Sequence, residues 1–218
     1  MMRTRVKICG VTRIEDAIAA ARLGADAIGL VFYASSPRCV SPEAAAQIVA
    51  ALPPFVTAVG LFVDADPGEI RAIVRKAQLD LVQYHGEESP ETCASIGLPY
   101  IKAIRMRPGT DVCAAANRYR EARAILLDAY HADLRGGTGT EFDWDAVPRN
   151  VALPLILAGG LTPDNVTRAI AQIRPYAVDV SSGVEQTKGI KDAQRMEAFI
   201  NAALKAPRSA RDEDTRRP

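Results

Sequence analysis

Two apolar runs in this chain end in side chains that could move protons. The first is Val6-Lys7-Ile8-Cys9-Gly10 and the second is Ala124-Ile125-Leu126-Leu127-Asp128. Side chains alternate along an extended segment, so Lys7 and Cys9 share one face while Val6 and Ile8 share the other. If the apolar pair meets packed helices, Lys7 and Cys9 point to the opposite side, toward each other's neighbourhood. A cation beside a thiol favours the thiolate, which is the nucleophilic and basic form. A small buried cysteine beside a snorkelling lysine would satisfy the same pattern. By the same alternation Leu126 and Asp128 point together, placing a carboxyl group at a strand end. Such an aspartate can hold a proton for transfer, or simply cap the next loop through backbone amides.

Two glycine-containing segments could hold a phosphate. Leu157-Ala158-Gly159-Gly160-Leu161-Thr162-Pro163 puts two glycines between an apolar run and a helix-type stretch. Val178-Asp179-Val180-Ser181-Ser182-Gly183-Val184 repeats the arrangement with serines and one glycine. Without side chains in the way, backbone amides can approach phosphate oxygens, and amides at a helix start attract negative charge. Arg38, in Ser36-Pro37-Arg38, could clamp a carboxylate through two parallel hydrogen bonds or stand as a solvated charge. Gln83 and His85 share a face of their segment, and His85 could be no more than a hydrogen-bonded wall residue. The stretch from Ala129 to Thr140 contains Gly136-Gly137-Thr138-Gly139-Thr140 and exceeds what a structural link needs, as a loop that covers a site does.

The elements that would position these groups repeat from end to end. Strands are predicted at Val6–Cys9, Ala27–Phe32, Thr57–Val63, Leu81–His85, Tyr100–Met106, Ala124–Asp128, Leu155–Ala158 and Ala177–Val180. Helices are predicted at Glu15–Leu23, Pro42–Leu52, Pro67–Gln78, Pro90–Ile96, Thr110–Ala122, Pro163–Ile173 and Lys191–Leu204, with a turn of helix within Phe142–Val147. Ser41-Pro42, Asp66-Pro67, Ser89-Pro90 and Thr162-Pro163 are helix-start signals, pairing a capping oxygen with a proline suited to the first turn. Alternating strands and crossovers imply a parallel sheet. Eight such units in about 205 residues predict an α/β fold, a single (β/α)8 TIM barrel over residues 1–205, with its site in the loops after the strands. An open doubly wound sheet competes, but it would want a GxGxxG turn after the first strand, which the sequence lacks. The charged segment from Ala206 to Pro218 has almost nothing to bury and is expected to be a disordered tail.

Composition removes several function classes. The 218 residues are 48% hydrophobic and 24% charged with a formal net charge of +1, without the basic stripe of a nucleic-acid binder. The longest apolar runs are too short to span a bilayer, and no signal-type apolar region follows the first residues. A soluble cytoplasmic protein is expected, with no nucleic-acid or membrane partner. The four cysteines form no CxxC and are joined by only two histidines, His85 and His131, so no metal site is expected. A monomer is expected, since no helix carries an unusually broad apolar face.

The segments Lys7-Ile8-Cys9-Gly10, Ser36-Pro37-Arg38, Gly60-Leu61-Phe62-Val63, Val82-Gln83-Tyr84-His85-Gly86, Leu126-Leu127-Asp128, Gly136-Gly137-Thr138-Gly139, Leu157-Ala158-Gly159-Gly160-Leu161 and Val178-Asp179-Val180-Ser181-Ser182-Gly183-Val184-Glu185 occur in order over residues 5 to about 204. Together they resemble the phosphoribosylanthranilate isomerase family of tryptophan biosynthesis. The family more often has Leu where Tyr84 stands and an aromatic where Cys39 stands; neither position carries the implied chemistry.

The resemblance implies a cofactor-free Amadori rearrangement of a small phosphorylated substrate, N-(5-phosphoribosyl)anthranilate. It implies Asp128 as general acid, Cys9 as general base and Arg38 as the reader of the anthranilate carboxylate. Lys7, His85 and Asp179 would face the substrate, and Gly159, Gly160, Ser182 and Gly183 would hold its phosphate. Asp128 would have to be protonated when substrate binds, which an apolar strand end would favour, and Lys7 would help to hold the Cys9 thiolate. Another phosphate-binding barrel, such as an indole-glycerol-phosphate synthase or a sugar-phosphate epimerase, is the nearest rival. The synthase would want further lysine and glutamate residues at strand ends. A non-catalytic phosphate-binding barrel would have no use for both Cys9 and Asp128.

Overall fold

Short β-branched and aliphatic runs alternate with amphipathic helices throughout the structure, a computed structural model that describes residues 3–129 and 144–206. The elements follow in order: β1 (Arg5–Cys9), α1 (Ile14–Leu23), β2 (Ala27–Val31), α2 (Pro42–Ala50), β3 (Thr57–Phe62), α3 (Pro67–Ala77), β4 (Leu81–Tyr84), α4 (Pro90–Ala94), β5 (Tyr100–Met106), α5 (Val112–Arg118) and β6 (Ala124–Ala129). Then come a 3-10 turn (Trp144–Ala146), β7 (Leu155–Leu157), α6 (Val166–Ile173), β8 (Ala177–Val180), a second 3-10 turn (Ser182–Val184), the two short strands β9 (Glu185–Thr187) and β10 (Ile190–Lys191), and α7 (Ala193–Lys205). Strands β1 to β8 pair in sequence order, and β8 closes on β1 in parallel with Lys7 opposite Asp179. That closure makes the expected TIM barrel and excludes the open sheet.

Alternation along each strand divides the core into two layers. Val6, Ile8, Ile28, Leu30, Ile125 and Leu127 pack outward against the helices. Inside the barrel, Ile101, Ala103, Leu126 and Ile156 form an apolar plug. Above the plug, toward the strands' C-terminal ends, Cys9 packs with Val31 and Leu61. The plug gives the polar groups above it a dry floor. Gly29, opposite Cys9 on β2, has no side chain for a reason: an added Cβ would come within 2.8 Å of the Cys9 sulfur and 3.0 Å of Lys7 Nζ.

Three of the four predicted caps form. The Ser41 hydroxyl accepts from Ala44 N–H, the Asp66 carboxylate from Gly68 and Glu69, and the Ser89 hydroxyl from Thr92, each typically worth about 1 kcal/mol. Thr162 is the exception. Its own N–H donates to Asn165 Oδ1 at 2.8 Å while Asn165 Nδ2 donates to the Gly160 carbonyl at 2.9 Å. The Asn165 side chain thereby folds residues 162–165 into a turn, and α6 starts only at Val166. Similarly, α5 is capped by Asp111 rather than started at Thr110. The sequence reading also lacked the β9–β10 hairpin, which bears on the site. Residues 130–143 and 207–218 lie outside the described residues, and with them most of the covering loop expected at Ala129–Thr140 and of the disordered tail expected from Ala206.

Candidate active site

At the strands' C-terminal ends the barrel opens into a cavity of about 600 Å³, the size of a small-molecule site. Cys9, Arg38, His85, Asp128, Gly159, Gly160, Asp179 and Ser182 all line it, so most of the residues singled out in the sequence converge on one place. Lys7 sits just below, buried. Gly183 follows Ser182, with its Cα against the Leu161 carbonyl.

Cys9 has charged neighbours on β1 and β8. Lys7 Nζ donates to both oxygens of Asp179 at 3.0 Å, in a pair whose side chains are 4% and 7% exposed. Burial works against the Lys7 charge, but Asp179 together with Cys9 more than offsets it and raises the lysine above its ordinary value. The thiol behaves otherwise. Burial pushes Cys9 up from its ordinary value; Lys7 and Lys191 pull it down, and Asp179 pushes it up again. Lys7 thus does pull the thiol toward its ionised form, while sharing its charge with Asp179, but burial outweighs that pull and leaves Cys9 above its ordinary value.

Arg38 is not a solvated loop charge. It is 8% exposed, and its Nε and Nη2 donate to Glu185 Oε1 and Oε2, each at 2.7 Å. Glu185 also accepts from Lys191 Nζ at 2.9 Å and from Gly189 N–H at 3.2 Å. Burial raises the Glu185 carboxyl, but the Arg38 hydrogen bond and Lys191 outweigh it and hold it below its ordinary range. Burial lowers Lys191 despite that partner. The β9–β10 hairpin places both residues, so it serves to aim the guanidinium. With Nε and Nη2 engaged, Nη1 has no hydrogen-bond partner among the described residues and could meet a ligand in the cavity.

Asp128 is held on the other wall, with β7 and β8 between β6 and β1. His85 Nε2 lies 3.1 Å from Asp128 Oδ2, and Gln83 Nε2 lies 3.1 Å from His85 Nδ1. Arg105, beside Asp128 in the β5–β6 register, donates from Nη2 to the His85 carbonyl at 3.1 Å. The loop after His85 is fixed from below by a buried pair. Lys102 Nζ donates to Gly86 O at 2.7 Å and to Glu88 at 3.0 Å, and Glu88 accepts from the Asp64 and Gly86 amides. A buried pair of this kind serves geometry more than stability. Arg105 also lines the cavity and was missed in the sequence. Strand alternation would have found it, since Ile101, Ala103 and Arg105 share one face.

Among the described residues no three or more His, Cys, Asp or Glu side chains stand together as metal ligands. What the mouth of the barrel offers is a thiol, a carboxyl group linked to a histidine, a braced guanidinium and two glycine loops brought into contact through Gly183.

A family model described as N-(5'-phosphoribosyl)anthranilate (PRA) isomerase matches residues 6–202. A protein of Nitrosococcus oceani named N-(5'-phosphoribosyl)anthranilate isomerase is 60% identical over 199 residues, covering 91% of this chain and 97% of its own length. The crystal structure of phosphoribosyl anthranilate isomerase from Thermotoga maritima superposes with a TM-score of 0.85 at 46% identity, covering 92% of this chain and 98% of its own. A further solved isomerase of this kind, in complex with reduced 1-(o-carboxyphenylamino)-1-deoxyribulose 5-phosphate, has a TM-score of 0.79 at 44% identity over 92% of this chain and 98% of its own. Matched along nearly its whole length in sequence and in fold, the chain belongs to the N-(5'-phosphoribosyl)anthranilate isomerase family.

Proposed function

We propose that the chain converts N-(5'-phosphoribosyl)anthranilate to 1-(2-carboxyphenylamino)-1-deoxyribulose 5-phosphate, the isomerase step of tryptophan biosynthesis, with Asp128 as acid and Cys9 as base. The observation that carries this reading is the placement of both groups at one cavity mouth, on separate walls, above an apolar floor. Asp128 gives its proton to the furanose ring oxygen; the ring opens as the C1–O bond breaks and the anilino nitrogen forms an iminium. The new positive charge acidifies the C2 hydrogen, and Cys9, as the thiolate left once its own proton has gone to solvent, takes the C2 proton to give an enolamine. Tautomerisation then leaves the C2 ketone and a protonated C1. Assaying the protein with phosphoribosylanthranilate formed in situ, and following the loss of anthranilate-type fluorescence, tests the reading. No loss above a heat-treated control would refute it.

Arg38 Nη1 is directed to the anthranilate carboxylate, and Lys7, His85 and Asp179 shape the site around the ribose. Arg38→Ala is expected to lower kcat/KM by an amount worth about 2–4 kcal/mol, the loss of a charge-assisted contact. Steady-state kinetics on the folded variant measure this, and an unchanged kcat/KM would take Arg38 out of recognition.

The phosphate goes to the backbone amides of the loops at Gly159-Gly160 and Ser182-Gly183. Both glycines of the first loop have positive φ. In the second, a Cβ on Gly183 would run into the Leu161 carbonyl oxygen, so a side chain there forces the two loops apart. Gly183→Ala is accordingly expected to raise KM by about 10- to 100-fold, or about 1.4–2.8 kcal/mol. Inorganic phosphate as a competitive inhibitor reads the same loss without the chemistry.

We also take the protein to be a soluble monomer of the cytoplasm. All four cysteines are free, as a reducing compartment keeps them. Among the described residues no helix is long and apolar enough to cross a membrane. Among the described residues the large exposed apolar side chains are Phe55, Tyr176 and Leu204, on three separate segments. A Thermotoga maritima relative is dimeric, so light scattering on this chain decides the matter.

A further inference from the structure

Gln83 is fully buried, and the Asp128 chemistry proposed above does not use it. Its amide nitrogen stands 3.1 Å from His85 Nδ1, while its oxygen is buried with no partner. Turning the amide over would put the oxygen at Nδ1 and strand the NH2 group in its place. An orphaned carbonyl is the lesser penalty of the two, because buried N–H donors without partners are the rarer and costlier case. The amide nitrogen therefore donates, and Nδ1 must accept. A neutral imidazole that accepts at Nδ1 carries its proton at Nε2, and Nε2 is 3.1 Å from Asp128 Oδ2.

We propose that Gln83 is a positioning residue for the acid step: it holds His85 as the Nε2–H tautomer, which donates to Asp128 Oδ2 and leaves the transferable proton on Oδ1. The proposal rests on the role given to Asp128 above. Two consequences follow for the reaction. The proton to be delivered always sits on the same oxygen, so the acid need not search for its orientation. When Asp128 gives up that proton it becomes a carboxylate, and the neutral Nε2–H···O bond becomes a charge-assisted one, about twice as strong. A bond that strengthens as the ring opens lowers the barrier, whereas an equally strong bond before and after would not. Gln83 also keeps His85 from acting as the acid itself, since a proton on Nδ1 would break the amide hydrogen bond.

Among the described residues the charged groups around His85, with Lys188 also at the cavity, make no other hydrogen bond to its ring. Asp128 approaches from β6, and Arg105 from β5 meets only the His85 carbonyl. Glu87 is exposed and stands 3.9 Å from Arg105. Cys9, Arg38 and Asp179 line the same cavity from β1, β8 and the loop after β2.

The chain has only two histidines, so 15N spectra of histidine-labelled protein are simple, and the His131→Gln variant assigns them. At neutral pH His85 should show a protonated Nε2 and a bare Nδ1. Gln83→Glu places an acceptor at Nδ1, so the spectrum should move to a protonated Nδ1. With it kcat should fall by about 10–100-fold, less than the roughly 10²–10⁴-fold that a whole positioned acid supplies, with KM nearly unchanged and the acid side of the kcat–pH profile displaced. His85→Gln, which can still present an N–H toward Asp128, should retain more of kcat than His85→Phe. A wild-type spectrum with Nδ1 protonated overturns the proposal, as does a Gln83→Glu variant with wild-type kcat. Should Gln83→Glu fail to fold, the wild-type spectrum and the His85 pair decide. The spectrum also needs no substrate, so absence of isomerase activity would refute the function while leaving the hydrogen-bond chain to be judged separately.

Discussion

Asp128→Asn is expected to lower kcat by about 10²–10⁴-fold, the usual contribution of one positioned acid, with little change in KM. Asparagine matches aspartate in size, so the β5–β6 register that sets Arg105 beside position 128 is undisturbed. Its amide oxygen can accept from His85 Nε2, which keeps the 3.1 Å contact. What it lacks is a proton it can release, because an amide N–H is not acidic in this range. The furanose oxygen must then open without a proton, or wait for one from water in a cavity whose floor is apolar. In the proposed mechanism binding falls to Arg38 and the glycine loops, on other strands. Steady-state kinetics with a titration by a reduced product analogue separates the two effects. A variant that binds the analogue normally and keeps kcat within about threefold of wild type would remove Asp128 as the acid.

The parts of this site that could be read in the sequence are those that depend on local pattern. Period-two alternation was enough to turn Lys7 with Cys9, and Leu126 with Asp128, to the inside of the barrel. The caps at Ser41, Asp66 and Ser89 are bonds over two or three residues, and each was legible as a dipeptide. The failures are of two physical kinds. At Thr162 a side chain three residues on, Asn165, accepts from the Thr162 N–H and folds the segment into a turn, which a dipeptide signal cannot foresee. The other failures come from distance along the chain. Arg38 and Glu185 are 147 residues apart, and the strands that present Glu185 and Lys191 have three and two residues, too short for any alternation to appear. Likewise Lys7 beside Cys9 looked like an unopposed cation, because Asp179 is 172 residues away.

The second large effect concerns Cys9. Cys9→Ala should cost about 10²–10⁴-fold in kcat, as the loss of one base does, and Cys9→Ser should be nearly as poor. A serine hydroxyl fits the space, but it ionises far less readily than a thiol. Burial already raises the thiol above its ordinary value, and a hydroxyl in the same place would bear that cost on top of its weaker acidity. The direction of the shift also sets the pH dependence. The base must be deprotonated, and in the free enzyme Cys9 titrates above its ordinary value, so the ratio of wild-type kcat/KM to that of Cys9→Ser, in which the shared need for a protonated Asp128 cancels, should climb with pH through neutrality by up to about tenfold per unit. Lys7→Met should move that climb to still higher pH, for two reasons of the same sign. It removes a cation that favours the thiolate, and it leaves the Asp179 carboxylate without its partner beside the sulfur. Cys9→Ser is the reference because nothing at position 9 then titrates. Near-normal turnover in Cys9→Ser, or a wild-type profile that Lys7→Met leaves in place, would mean that another group takes the C2 proton.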